Sequence, residues 1–318
     1  MKRGLVFNAD KHLKTVRVFR LSMRCKLCTK PAVYAPLRFC TEHFLAYYEK
    51  KVRHYFESTH VKDVKVLVGV SGGKDSSALA DILVRIKDDF SLKLGLFTID
   101  LGIPDYSEKG LEKVRELGKL ENVELITEKL SDHEHVIPEF AGPGRKPCGP
   151  CGTIKRHLLN KAAVEHGYDY IATGHNLDDE FYFAMHNLLH RNVDQLRRGA
   201  KILPPRPELK LAGRLKPLYY LTEKENRLYC LLRKIPHDAD ECPFSADNPQ
   251  LAFKAGIGSS LSREEKKNVL KSVQLLQQPA EAVVEGEAPG ELHACPRCGY
   301  PTTSKDDCVY CKLMAGRR

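Results

Sequence analysis

Val64-Lys65-Val66-Leu67-Val68-Gly69-Val70-Ser71-Gly72-Gly73-Lys74-Asp75-Ser76 joins two kinds of local order. The first seven residues form a short apolar, β-branched run, the pattern of a buried strand. A helical pattern follows from Ser76 to Ile86. Between them, the glycines permit a tight turn with successive backbone N–H groups exposed, and the new helix aims its positive end at the same point. Ser71 and Ser76 add hydroxyl donors and Lys74 adds charge, so the loop is read as a phosphate cradle. It is not a Walker A loop, because Asp75 stands where Ser or Thr would follow the Gly-Lys pair, and it lacks the G-x-G-x-x-G spacing.

The same alternation continues outward. Strands are predicted at 92–99, 123–130 and 168–172, and helices at 109–117, 152–165 and 178–189. Strands alternating with helices imply an α/β fold, a parallel sheet flanked by helices, whose ligands bind beyond the carboxyl ends of the strands. A further helix is expected at 42–58 and another at 262–278. These patterns, with the cysteine spacings described next, divide the chain into an N-terminal extension with a metal knuckle (1–62), the α/β domain that carries the phosphate loop (63–278), and a linker with a second knuckle (279–318).

The cysteines locate the rest of the chemistry. There are 11 in 318 residues, with a formal charge of +10 and no apolar run long enough to span a bilayer. An odd count in a chain of this size argues against a disulfide-built secreted protein and a membrane protein, and for metal binding in a reducing cytoplasm. Cys25-x-x-Cys28 with Cys40-x-x-His43, and Cys295-x-x-Cys298 with Cys308-x-x-Cys311, are two complete ligand quartets with zinc spacing. Cys148-x-x-Cys151 stands alone, open to reading as a redox pair or as part of an incomplete metal site. Cys242 lies in Glu241-Cys242-Pro243, and Cys230 reads as a small buried hydrophobe.

Ser-Gly-Gly-x-Asp-Ser after the first strand resembles the PP-loop of the ATP pyrophosphatase superfamily. Cys148-x-x-Cys151-Gly152, Thr173-Gly174-His175-Asn176-Leu177-Asp178-Asp179-Glu180, Glu241-Cys242-Pro243 and the two terminal knuckles occur in the order of the tRNA 2-thiouridine synthetases. The resemblance spans 23–318. It implies a [4Fe–4S] cluster held by Cys148, Cys151 and Cys242 with one iron open for sulfide; a persulfide on one cysteine is the alternative. It implies ATP over Ser71, Gly72, Gly73, Lys74, Asp75 and Ser76, with Val70, Thr98, Asp100, Gly174 and His175 toward the nucleoside. Mg²⁺ is expected on the triphosphate, with Asp75, Asp178 and Asp179 as candidates for contacting it; Asp178 reads equally as an acid stabilising a helix N-terminus, whereas Asp179 is read as functional. Lys155, one turn after Cys151, is a candidate cation beside the reacting groups.

The implied activity is ATP-dependent tRNA sulfur transfer. A uridine O2 is adenylated with release of pyrophosphate, and sulfur then replaces it. Another adenylating ligase of the superfamily and a non-catalytic zinc-binding RNA module are the competing classes. The basic stretches fit a tRNA partner: 1–62 has fourteen Lys and Arg against four Asp and Glu, and 190–234 twelve against four. Arg191, Arg197, Arg198 and Arg214 are the expected contacts. Ala239–Ser245 resembles the branch acting on the T-loop uridine more than the wobble branch. A thiocarboxylated ubiquitin-like carrier or free sulfide is the expected donor, and a homodimer the expected assembly.

Overall fold

The structure is a computed structural model that describes residues 23–144, 146–197, 199–246, 248–277 and 292–316. Residues 1–22 and the linker expected at 279–290 lie outside the described residues. The chain forms two compact units, Met1–Tyr47 and Tyr48–Arg318.

The elements follow the predicted alternation. In order they are α1 (Thr41–Thr59), β1 (Lys65–Gly69), α2 (Lys74–Ile86), β2 (Lys93–Asp100), α3 (Tyr106–Glu121), β3 (Leu125–Lys129), α4 (Cys148–Glu165), β4 (Tyr170–Ala172) and α5 (Leu177–Leu189). Then come α6 (Val193–Arg197), β5 (Ile202–Leu203), β6 (Gly213–Leu215), α7 (Glu223–Arg233), α8 (Pro249–Ala255), α9 (Ile257–Ser260) and α10 (Arg263–Gln277). The small strands β7 (His293–Ala294) and β8 (Pro301–Thr302) precede α11 (Val309–Met314).

The main sheet has the order β3-β2-β1-β4-β6-β5. All neighbours run parallel except the β5–β6 edge pair. Chain order reverses between β1 and β4, which places a crevice beyond their carboxyl ends. The centre of the sheet is dry: Val66, Leu67, Val68 and Leu96 are fully buried. The apolar face of α2 closes over it with Leu79, Ile82, Leu83 and Ile86, also fully buried. Unbroken apolar runs of this kind belong to strands covered on both faces. This packing makes β1 and β4 rigid supports for the loops that leave them.

Several helices begin earlier than their patterns suggested, α3 at Tyr106 among them, and two of these shifts bear on the site. Helix α4 starts at Cys148, so the C-x-x-C pair forms its first turn rather than a preceding loop. Helix α2 starts at Lys74, which draws half of the phosphate loop into its first turn. In both cases the polar residues at the start carry no periodic apolar signal.

Candidate nucleotide and metal site

The loop after β1 sits at the reversal point. Gly72 adopts φ +83°, and a Cβ on it would lie 2.7 Å from the Gly110 backbone. Only glycine fits that turn and that contact. From the β4 side, a Cβ on Gly174 would meet the Asp75 and Ser76 backbone at 2.9 Å. The Thr173–Asn176 turn therefore packs directly against the phosphate loop. Ser76 Oγ accepts the Ser71 N–H at 3.1 Å and donates to Gly73 O at 3.0 Å, bracing the turn. Gly73 caps α2 with no side-chain hydrogen bond, so the positive end of the helix stays open to an anion.

Asp75 faces inward. Its Oδ1 accepts from Asn226 at 2.7 Å and Asn176 at 3.1 Å, and its Oδ2 meets Lys74 Nζ at 3.1 Å. Burial pushes its carboxyl up, while Lys74 and Asn226 pull it down. Lys74 is opposed by burial, but Asp75 and Glu223 more than offset this and hold its ammonium above the ordinary lysine value. Val70, just past the end of β1, and Thr98 in β2 are buried beneath. Asp100 at the end of β2 accepts the Gly102 N–H at 3.0 Å. His175 is exposed, with its Nδ1 2.8 Å from Thr173 Oγ1, and desolvation by the neighbouring chain segments pushes its imidazole down.

Asp178 and Asp179 both make bonds within the fold. Asp178 joins Lys266 at 2.5 Å and the Glu223 N–H at 2.8 Å. Asp179 closes a capping box with Asn176 through Oδ2, while its Oδ1 receives Lys254 at 2.5 Å and Gln250 at 3.0 Å. Glu223, Gln250 and Lys254 belong to this site and were not expected. They come from α7 and α8, distant in sequence and without a motif.

The three middle cysteines converge next to this loop. Asp238 donates its N–H to Gly72 O at 2.8 Å and pairs with Gly73 as an isolated parallel bridge. Four residues later the same strand of chain reaches Cys242. Cys148 is exposed, with its thiol directed at Phe244 O at 3.6 Å. Cys151 and Cys242 are half-buried against the same apolar cluster under α4. Burial pushes the Cys151 thiol up, and a contact with Lys155 only partly offsets this. Burial raises the Tyr106 hydroxyl first, and the nearby Cys242, Asp238 and Cys151 raise it further. The first turn of α4 also turns its positive end toward Cys148 and Cys151.

The terminal quartets have a different geometry. Within each, all four ligand atoms lie within 4.8 Å of one another, and among the described residues no other set of three or more does so. Cys28 and Cys40 sulfurs are 3.7 Å apart, Cys298 and Cys308 3.7 Å, and Cys295 and Cys311 3.9 Å. A tetrahedron with metal–sulfur bonds of about 2.3 Å has edges of about 3.8 Å. His43 Nδ1 lies 3.4 Å from Cys25 and 3.2 Å from Cys40. Burial opposes ionisation of Cys25 and Cys295, yet backbone N–H donors bring each thiol down to about 6. The residues present fit a small soft cation that prefers thiolate. The middle three sulfurs are too widely spaced for that arrangement, and their all-thiolate donor set fits an iron–sulfur cluster with one iron left without a protein ligand.

Of the expected RNA contacts, Arg191 and Arg214 are exposed. Arg198 lies outside the described residues, as does the side chain of Arg197. Arg156, which sequence reading passed over, sits near enough to Arg214 for their charges to interact.

A parallel sheet whose first strand feeds an open, glycine-built phosphate loop at the reversal point defines a PP-loop domain. The PP-loop domain family matches residues 45–246. A tRNA-5-methyluridine(54) 2-sulfurtransferase of Pyrococcus horikoshii is 35% identical over 307 residues, covering 92% of this chain and 93% of that protein. A protein of the same name from Thermus thermophilus is 35% identical over 302 residues, covering 92% and 91%. The chain belongs to the PP-loop family of tRNA 2-thiolation proteins. Its fold matches that of the U34-tRNA thiolase NcsA from Methanococcus maripaludis, solved with its [4Fe-4S] cluster, at a TM-score of 0.70 and 24% identity over 84% of this chain and 93% of that one.

Proposed function

We propose that this chain is an ATP-dependent tRNA uridine 2-sulfurtransferase. The observation that carries the reading is the short path from Gly73 through Asp238 to Cys242, which puts an anion-binding loop and three convergent thiols at one crevice. An adenylating ligase without sulfur chemistry has no use for the thiols.

ATP lies over Ser71–Ser76, with its phosphates against the loop N–H groups and Lys74 and its nucleoside toward Thr98, Asp100, Gly174 and His175. Asp75 fixes Lys74, and the asparagines fix Asp75. Mg²⁺ accompanies the triphosphate. The uridine O2 attacks the α-phosphorus, and the bond to the bridging oxygen breaks with release of pyrophosphate. Cationic groups and backbone N–H donors stabilise the charge on the phosphorus oxygens. Sulfide then adds at C2, and AMP leaves with the former O2. A [4Fe–4S] cluster on Cys148, Cys151 and Cys242 supplies, when bound, an open iron able to carry that sulfide. Lys155 lies beside the thiols as a charge stabiliser. The two quartets hold zinc.

Arg191, Arg214 and Arg156 contribute to binding tRNA phosphates. The T-loop uridine is favoured over the wobble uridine; the Ala239–Ser245 segment and the names of the 35%-identical relatives support this. The donor is a thiocarboxylated ubiquitin-like carrier or free sulfide, and the enzyme works as a homodimer in a reducing cytoplasm. Among the described residues no helix is long and apolar enough to cross a membrane. Incubation of the anaerobic protein with ATP, sulfide and unmodified tRNA, followed by nucleoside mapping, tests the assignment. One 2-thiouridine in the T-loop is expected. Sulfur at the wobble position would overturn the target, and no tRNA-dependent pyrophosphate release would overturn the activity.

A further inference from the structure

Glu223 stands between two lysines of the nucleotide site. Its Oε1 accepts from Lys74 Nζ at 2.8 Å and its Oε2 from Lys254 Nζ at 3.3 Å. Lys74 belongs to the phosphate loop, whereas Lys254 arrives on α8. Two ammonium groups therefore share the two oxygens of one carboxylate, beside a helix N-terminus that no side chain caps. Asp179 secures Lys254 from its other side at 2.5 Å. Lys254 is thus already paired with Asp179, and Glu223 links it to the loop lysine. The lysine side chains are mostly enclosed, at 26% and 18% exposure, while Glu223 is freer at 38%. Glu223 is also the first residue of α7, where its backbone is held by Asp178 while its side chain projects from the helix start.

We propose that Lys254 is a second phosphate-binding residue of the nucleotide site, and that Glu223 holds both lysines until the phosphates displace it. This rests on reading Ser71–Ser76 as the nucleotide loop. A polyphosphate placed on that loop presents oxygens of the same charge as the Glu223 carboxylate to both lysines. Phosphate oxygens offer both lysines the charge-assisted bonds that the carboxylate gives them, and a second lysine favours a chain of phosphates over a single one. Lys254 thus grips the β- and γ-phosphates of ATP and then the departing pyrophosphate.

Calorimetric titration of the full chain with ATP, inorganic pyrophosphate and AMP tests the proposal. Lys254→Met is expected to weaken ATP and pyrophosphate binding about tenfold, and AMP binding much less. Glu223→Gln is expected to tighten pyrophosphate binding about threefold by removing the competing anion. Binding of pyrophosphate to a folded Lys254→Met chain within twofold of the parent would overturn the proposal. So would weaker pyrophosphate binding by Glu223→Gln, a result that stands even if the lysine variant fails to fold. A parent chain that binds neither ATP nor pyrophosphate would instead overturn the loop reading on which the proposal rests.

Discussion

The terminal quartets and the middle three cysteines use the same residue type for opposite ends. In the C-terminal quartet Cys295, Cys308 and Cys311 are buried, every ligand is a near neighbour of the others, and backbone N–H groups point at the sulfurs. Such a set is suited to holding an ion. The middle set is one ligand short, more widely spaced, and opens to solvent at Cys148. It also has a cation, Lys155, and the phosphate loop as neighbours. A closed shell stabilises the fold; an open one leaves room for chemistry. The two are joined physically, because α11 of the C-terminal knuckle packs on α4, with Tyr310 stacked on His157 at 3.7 Å.

That contrast can be broken at either end. The largest expected effect is at the middle set: Cys148→Ala, Cys151→Ala or Cys242→Ala lowers tRNA thiolation by ~100-fold or more, with ATP affinity unchanged. Thiolation assays run alongside ATP titration would show this. At a quartet the effect moves from activity to stability. Cys298→Ala is expected to lose one zinc and to lower the melting temperature by on the order of 10 °C, read by calorimetry and metal analysis. Equal melting temperatures for Cys298→Ala and Cys148→Ala would erase the distinction.

Smaller effects sharpen it. Gly174→Ala forces a Cβ to 2.9 Å from the loop backbone. It should weaken ATP binding about tenfold while leaving the iron content intact. The smallest effect involves no cysteine. Burial and the neighbouring Asp81 carboxylate push Glu121 from its ordinary 4.5 up to about 7. A raised carboxyl keeps a proton in the fold that the unfolded chain has already released. Its contribution to stability is therefore lost as pH rises from about 4.5 to 7. Denaturant midpoints should show Glu121→Gln removing that slope, with a gain at pH 8 of less than about 1 kcal/mol after solvent screening.

Much of this was legible in the chain. Ser71–Ser76 after an apolar strand, and strands alternating with helices, implied the parallel sheet and its crevice, because local pattern and loop chemistry agree there. Both quartets were readable from spacing alone, since zinc ligands cluster on short loops. Lys254, Gln250, Glu223 and Asp238 were not legible. They reach the site through tertiary contacts from short or irregular segments, where neither periodicity nor a motif marks them. Asp178 and Asp179 illustrate the reverse limit. Their position after Asn176 announced a helix start, but only the fold shows that Lys266, Lys254 and Gln250 already engage their carboxylates.

The decisive measurement is a paired assay on the parent and Cys242→Ala proteins, purified without oxygen and given ATP, sulfide and tRNA. The parent should release pyrophosphate and form 2-thiouridine. The variant should still bind ATP and form no 2-thiouridine. Undiminished 2-thiouridine from Cys242→Ala would show that the three thiols are not where the sulfur is delivered.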